Sequence, residues 1–294
     1  MVYSNRFIEY IKYEKRSSIN TVQAYKSDLQ QFYYFLKRQY NIDNIKEVNH
    51  LIIRSWIIDL IDNGISNRSI NRKLSTLKSF YKYLLRNEII DKNPMNKILS
   101  PKTTKKLPVF VEEEKMNLLL DEVDFGEGFT ALRDKLIVEM LYDTGIRLSE
   151  LTNLKVSDVK INDSSLKVLG KRNKERIIPF CDRLRLIINE YLKQRKEVNT
   201  ENCEYFFITA KGKKVYPKLI YRIVNNYLSK VTTLQRKSPH VLRHTFATHM
   251  LNHGADLNAI KELLGHANLS ATQIYTHNTI ENLKNIYKQA HPKA

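Results

Sequence analysis

Along residues 1–92 apolar side chains return every three or four positions, as in Tyr25, Leu29, Phe32, Tyr33 and Leu36, and again in Ile70, Leu74, Leu77, Phe80 and Leu84. That spacing lays one apolar stripe along a 3.6-residue helix, so the pattern predicts a bundle of four or five helices. Thr21 and Ser66 are expected as N-caps and Gly64 as a stop. The rhythm breaks between Lys92 and Val111, where Pro94, Pro101 and Pro108 flank the basic run Lys102-Thr103-Thr104-Lys105-Lys106, and 93–110 therefore reads as a flexible linker. Helical spacing resumes over Glu112–Leu120 and Phe129–Leu141. Alternation then replaces it, with Leu166, Val168 and Gly170 before a turn at Lys171–Lys174, and Arg176, Ile178 and Phe180 after it, which predicts a hairpin. The apolar run Tyr205-Phe206-Phe207-Ile208 is expected to complete a small sheet. Helices are expected again at Arg183–Lys193, Pro217–Lys230, Val241–His253, Asn258–Leu264, Ala271–His277 and Ile280–Lys288. The two regions read as a helical domain over 1–92 and a mixed α+β domain over 111–294, in a mainly α chain.

Charge adds a partner to this outline. The 294 residues carry 49 Lys plus Arg against 31 Asp plus Glu, a net +18, and the excess is spread over both regions. Residues 1–100 hold 17 basic and 9 acidic side chains, and the remainder holds 32 and 22. A surplus of that size in both parts favours a polyanion such as double-stranded DNA gripped by both. The helix from Ser66 carries Arg68, Asn71, Arg72 and Lys73, with Lys78 and Lys82 beyond them, opposite its apolar stripe. Such a face lines phosphates or enters a major groove, although a solvated helix surface explains any one of these residues equally well. No stretch approaches the ~20 apolar residues of a spanning helix, so no membrane role and a cytoplasmic location are expected. Cys181 and Cys203 have neither disulfide-framework nor metal-ligand spacing.

The candidate chemistry lies in three clusters: Asp143-Thr144-Gly145-Ile146-Arg147-Leu148-Ser149-Glu150-Leu151, Gly170-Lys171-Arg172-Asn173-Lys174-Glu175-Arg176, and Ser238-Pro239-His240-Val241-Leu242-Arg243-His244 with Leu263-Leu264-Gly265-His266 and Tyr275 downstream. An arginine near a phenol suits phosphoryl transfer, because the guanidinium neutralises a phosphate oxygen while the phenolic oxygen attacks phosphorus. Arg147 and Arg243 are the pair chosen to hold the two non-bridging oxygens, being bidentate donors that stay charged at any working pH. A phenol with a pKa near ~10 needs a proton acceptor or strong local positive charge, and His240 is the candidate acceptor. Glu150 is expected to orient Arg147 or His240, or to serve simply as a carboxylate at a helix start. His249 and His253 are spaced i, i+4, but Met250-Leu251 stand where a zinc hydrolase would place its Glu, so packing or capping is expected of them and of His244. No metal or cofactor is called for.

Together these clusters resemble the catalytic half of the tyrosine recombinases, closest in wording to the Xer type and to its XerD branch in particular. The resemblance is strongest from about residue 140 onward, and in the first hundred residues it extends only to helix pattern and length. It implies a SAM-like core-binding domain followed by a catalytic domain with a small antiparallel sheet. It also selects Tyr275, one of 17 tyrosines, as the nucleophile. Lys171 resembles the family's general acid, with Arg172 and Lys174 as close competitors and DNA-contact candidates, and the family usually has Gly where this chain has Arg172. His266 is expected to bond the phosphate or buttress the site. The resemblance further implies that the tail 279–294 docks on a neighbouring protomer, within a homo- or heterotetramer on DNA. A DNA translocase is the implied activator, and resolution of chromosome or plasmid dimers at cell division the implied role. A mobile-element integrase, a type IB topoisomerase and a non-catalytic architectural protein are the competing readings.

Overall fold

A computed structural model describes residues 2–103, 109–170, 175–199, 201–265 and 285–293. The chain divides into two compact units, Met1–Lys106 and Leu107–Ala294. Each has its own apolar core.

In the first unit four helices are described, α1 (Val2–Glu9), α2 (Ile19–Tyr40), α3 (His50–Asp62) and α4 (Asn67–Arg86), with a π-helical turn at Tyr10–Glu14 extending α1. Local chemistry sets their ends. The Ser18 hydroxyl accepts from the Thr21 N–H, so α2 starts before the expected cap, and Thr21 sits in the first turn. Asn49 accepts from both Leu51 and Ile52 N–H groups, Ser66 caps α4 as expected, and Gly64 lies at φ +72° just past α3. Phe7, Phe32, Trp56, Leu74, Leu77 and Phe80 fill the core, with the Phe32 and Trp56 rings 4.8 Å apart.

Two expectations for this unit are corrected. The linker does not begin at 93. Asn93 caps a 3-10 turn at Pro94–Lys97, and Met95 and Ile98 are buried in the core, because those two side chains supply the apolar surface that the prolines appeared to interrupt. Lys73 is not on the outer face. Its side chain is only 6% exposed and donates to Asp28 and Gln31, while Arg72 grips the same Asp28 carboxylate and Thr76 donates to it at 2.8 Å. A carboxylate buried on α2 needs such partners, and Lys73 on the inner edge of α4 meets that need. Arg68, Arg72, Lys78 and Lys82 are exposed, and the half-buried Asn71 donates its amide to the Pro101 carbonyl.

The second unit opens with α5 (Glu113–Asp121), α6 (Gly128–Thr144) and the short α7 (Leu148–Asn153). A three-stranded antiparallel sheet follows, in the order β1 (Val159–Lys160), β2 (Ser165–Leu169), β3 (Glu175–Pro179). Leu169 pairs with Glu175, so the hairpin forms where alternation predicted it. The expected third strand differs: Tyr205 makes only an isolated bridge with Lys155, and Ile208 one with Lys214, while Phe206, Phe207 and Ile208 plug the core. The remaining described helices are α8 (Asp182–Val198), α9 (Pro217–Val231), α10 (Pro239–Asn252) and α11 (Leu257–Leu264). α6 is buried over most of its circumference and serves as the central post, since α8, α9 and α10 all pack on it.

Residues 285–290 are helical, and in the single chain they pack on their own unit. Tyr287 stacks on His291 at 4.9 Å, and His291 in turn meets Tyr142 of α6 and Phe246 of α10. Lys293 closes the contact by donating to Asp121 at 2.6 Å. These rings find burial within the chain because the end of α6 offers an aromatic seat. Residues 279–284 lie outside the described residues. A chain ending at residue 284 should lose about 4 kcal/mol by uncovering Tyr142 and Phe246, and its catalytic unit should melt about 10 °C lower in differential scanning fluorimetry of dilute protein. An unchanged melting point would place the tail on another copy.

Candidate functional site: a triad of arginines at two helix ends

The helix ends of α6 and α11 build the site. α6 stops at Gly145, left-handed at φ +57°, and α11 stops at Gly265, left-handed at φ +63°. A side chain would be strained at either left-handed position, and an added Cβ would clash at Gly145, within 2.6 Å of Phe246, and press on Arg176 at 3.1 Å at Gly265. A helix C-terminus leaves carbonyls without intrahelical donors and carries partial negative charge. Here arginines supply the donors. Arg243, buried on α10, donates to the Gly145 and Leu264 carbonyls at 2.6 Å each. Arg147, at the start of α7, donates to the Gly265 carbonyl at 2.9 Å, and Arg176 of β3 donates its Nε to the Leu263 carbonyl at 2.8 Å.

One carboxylate serves this group. Glu150 accepts at Oε1 from Arg147 Nη1 at 2.7 Å and from Arg176 Nη1 at 2.8 Å, and at Oε2 from Arg176 Nη2 and from the Arg147 backbone N–H, both at 2.8 Å. It therefore orients Arg147 and caps the start of α7 at once. Burial alone raises its carboxyl, but Arg176 first and Arg147 second overcome this and hold it down at about 2. Three guanidiniums against one carboxylate leave two positive charges. That crowding shows at Arg243, which burial first and then Arg147 and Arg176 push down to about 9, still charged at neutral pH. A guanidinium has five N–H donors. Arg243 commits two nitrogens to carbonyls, and the Arg147 side chain, 25% exposed, keeps unspent donors beside an excess of positive charge. The arrangement suits an anion with two oxygens to be held, which is the demand of a phosphodiester.

His240 is exposed in the first turn of α10, three residues before Arg243. Lys171, Arg172 and Lys174, and His266 and Tyr275, lie outside the described residues. His249 and His253 have structural partners, and His277 lies outside the described residues. His249 bridges the Tyr142 hydroxyl and the Val111 carbonyl, both at 2.9 Å, and His253 meets Glu113 at 2.9 Å. Cys181 is buried and Cys203 half-buried, both as free thiols. Among the described residues no group of His, Cys, Asp and Glu is arranged to hold a metal ion, and no helix is long and apolar enough to cross a membrane.

Arg176 was missed as a site residue. Its signal was present in the sequence, since it alternates with Ile178 and Phe180 on the inward face of β3, and an arginine at an inward strand position requires a buried acceptor.

Comparison with known proteins agrees with this geometry. The phage integrase family matches residues 110–282, and its N-terminal SAM-like domain matches residues 5–88. Tyrosine recombinase XerC of Chlorobaculum tepidum is 38% identical over 98% of this chain and 94% of its own. Tyrosine recombinase XerC of Oceanobacillus iheyensis is 37% identical over 100% of this chain and 97% of its own. Both carry the XerC name rather than that of the XerD branch. Among solved structures, XerH recombinase in a post-cleavage complex with a palindromic difH substrate superposes at a TM-score of 0.72, with 21% identity over 96% of this chain and 83% of its own. The Tn1549 transposon integrase with transposon right end DNA gives 0.72, with 19% identity over 96% and 98%, and these two likenesses concern the fold. The chain belongs to the phage integrase family and is an Xer-type tyrosine recombinase.

The Glu150 linkage gives a test of the site. Its folded pKa is depressed, so its stabilisation is complete above the ordinary carboxylate range and fades as pH falls from about 4.5 toward 2. Glu150→Gln should cost about 3 kcal/mol at pH 7, and the gap from wild type in urea melts should narrow at pH 3. A gap that stays constant across that range would mean that the carboxylate is not ion-paired.

Proposed function

We propose that this recombinase cleaves and rejoins DNA strands at a specific site through a covalent 3′-phosphotyrosine intermediate. The observation that carries the reading is the convergence of Arg147 and Arg243 on the carbonyls of 145 and 264–265, with a surplus of positive charge. In the proposed step the Tyr275 phenolic oxygen attacks phosphorus, an O–P bond forms, and the bond to the 5′ oxygen breaks. Arg147 and Arg243 hold the two non-bridging oxygens, whose charge grows in the transition state. His240 accepts the phenolic proton, Lys171 delivers one to the leaving 5′ oxygen, and His266 bonds the phosphate or buttresses it. Attack by another strand's 5′ hydroxyl reverses the step, so joining needs no ATP. The phosphotyrosine stores the energy of the broken bond.

The partner is double-stranded DNA, gripped through backbone phosphates by both units. Arg68 and Arg72 on α4, together with Arg172 and Lys174, are the proposed contacts. Asn71 has its amide engaged within its own unit, and Lys73 is withdrawn from the set. Working tetramers, of one subunit type or of two related ones, and activation by a DNA translocase belong to the same reading, as do a cytoplasmic location and dimer resolution at cell division. The XerC relatives, matched along nearly their whole length, support that housekeeping role over a mobile-element one.

A nicked suicide duplex carrying the source chromosome's dimer-resolution site should yield a covalent protein–DNA band with wild type and none with Tyr275→Phe on a denaturing gel. Arg243→Ala should slow formation of that band by about 10²–10³-fold. A band of full intensity from Tyr275→Phe would refute the assignment of the nucleophile. Affinity for the same duplex should fall steeply with salt, log K against log [salt] sloping by about −0.9 per phosphate contacted. A flat response would refute a charge-based grip.

A further inference from the structure

The two acceptors that fix Arg147 are the Glu150 carboxylate and the Gly265 carbonyl, and both are held by one further side chain. Arg176 grips Glu150 with two parallel N–H···O bonds of 2.8 Å, using Nη1 and Nη2. Its Nε donates to Leu263, two residues before Gly265, at 2.8 Å. The glycine itself lies against the Arg176 side chain so closely that an added Cβ would meet its Cδ at 3.1 Å and its Nε and Nη1 at 3.3 Å. Arg176 is 4% exposed, with all three guanidinium nitrogens engaged, whereas Arg147 keeps a quarter of its side chain open. The first faces the protein and the second the solvent.

We propose that Arg176 is a positioning residue for strand cleavage, which acts through Arg147 by locking both of its acceptors. It also sets the charge that Arg147 presents. Glu150 shared between two guanidiniums has about half of its charge left for each, so Arg147 retains positive potential toward a phosphate. Without Arg176 the whole carboxylate would turn on Arg147, pull it inward, and reduce the surplus from two charges to one. The placement on β3 adds a link of its own: Arg176 is five residues beyond Lys171 in the sequence, on the strand that is tied directly to the carboxylate aiming the proposed phosphate clamp. Lysine cannot replace it, because a point-like ammonium cannot span both carboxylate oxygens and the Leu263 carbonyl.

This inference rests on the cleavage reading, and the test separates the two. The full chain would be assayed in single turnover on the nicked suicide duplex at saturating DNA, as wild type, Arg176→Lys, Arg147→Lys and the double variant, with duplex affinity and melting temperature measured on each. Failure of wild type itself to form the covalent product would refute the cleavage reading, and the inference with it. With wild type active, Arg176→Lys should cleave about 10–100-fold more slowly, with duplex affinity within about threefold of wild type. In the Arg147→Lys background, which has already lost the fork that Arg176 steadies, the same change should cost less than about threefold, because residues acting as one unit are not additive. Undiminished cleavage by Arg176→Lys, or full additivity in the double variant, would overturn the proposal. Should Arg176→Lys not fold, Arg176→Gln takes its place in the cycle. Loss of the folded state in both would assign Arg176 to core stability and overturn the positioning role.

Discussion

Two helix ends with orphaned carbonyls, and the guanidiniums drawn to them, are the constraint on which the second unit depends. α6 and α11 each finish on a left-handed glycine, and the carbonyls of 145, 263, 264 and 265 accept from Arg243, Arg176, Arg243 and Arg147 in turn. Helix C-termini favour cations. They allow three positive charges to crowd around one carboxylate without each needing its own acid. Gly265 follows from the closeness of Arg176 and Gly145 from that of Phe246 and Leu264, the depressed Glu150 carboxyl from the two arginines it serves, and the lowered Arg243 from burial first and the repulsion of Arg147 and Arg176 second. An anion entering beside Arg147 and Arg243 would relieve the repulsion, which supports the phosphate site proposed there.

The first unit solves the opposite problem. Asp28 is a single buried acid on α2, and Arg72, Lys73 and Thr76 of α4 converge on it. The network fixes α4 against α2 while leaving Arg68, Arg72, Lys78 and Lys82 toward solvent. Removing the carboxylate would leave the buried Lys73 ammonium with Gln31 but no counter-charge, so this register is set by polar satisfaction as well as by the apolar stripe.

How much of this could be read from the sequence depended on the range of the interaction. Helices with a clean stripe and a local cap, such as α4 behind Ser66, were legible because period and cap lie in one short stretch. The hairpin was legible from alternation. Lys73 was misread because two consecutive basic residues, Arg72 and Lys73, look alike in the sequence, and only α2 across the interface distinguishes the inner one. The strand expected at Tyr205 became a core plug because three adjacent apolar residues do not say whether they will pair. The prolines after Lys92 concealed two core residues, Met95 and Ile98. At the site, Arg147, Arg243 and Glu150 stood out through short motifs. Arg176 did not, since its partners lie 26 residues upstream at Glu150 and 87 residues downstream at Leu263.

The central claim is that Arg147 and Arg243 form one clamp, steadied from behind by Arg176 and Glu150, for the scissile phosphate. A crystal structure of the full chain with two DNA half-site oligonucleotides and orthovanadate, a mimic of phosphorus bonded to five oxygens, tests it most directly. The account predicts a vanadium centre with equatorial oxygens within hydrogen-bond distance of both Arg147 and Arg243, while Arg176 remains on Glu150 without touching the vanadate. Vanadate bound away from that pair, or held by Arg176 itself, would contradict the account.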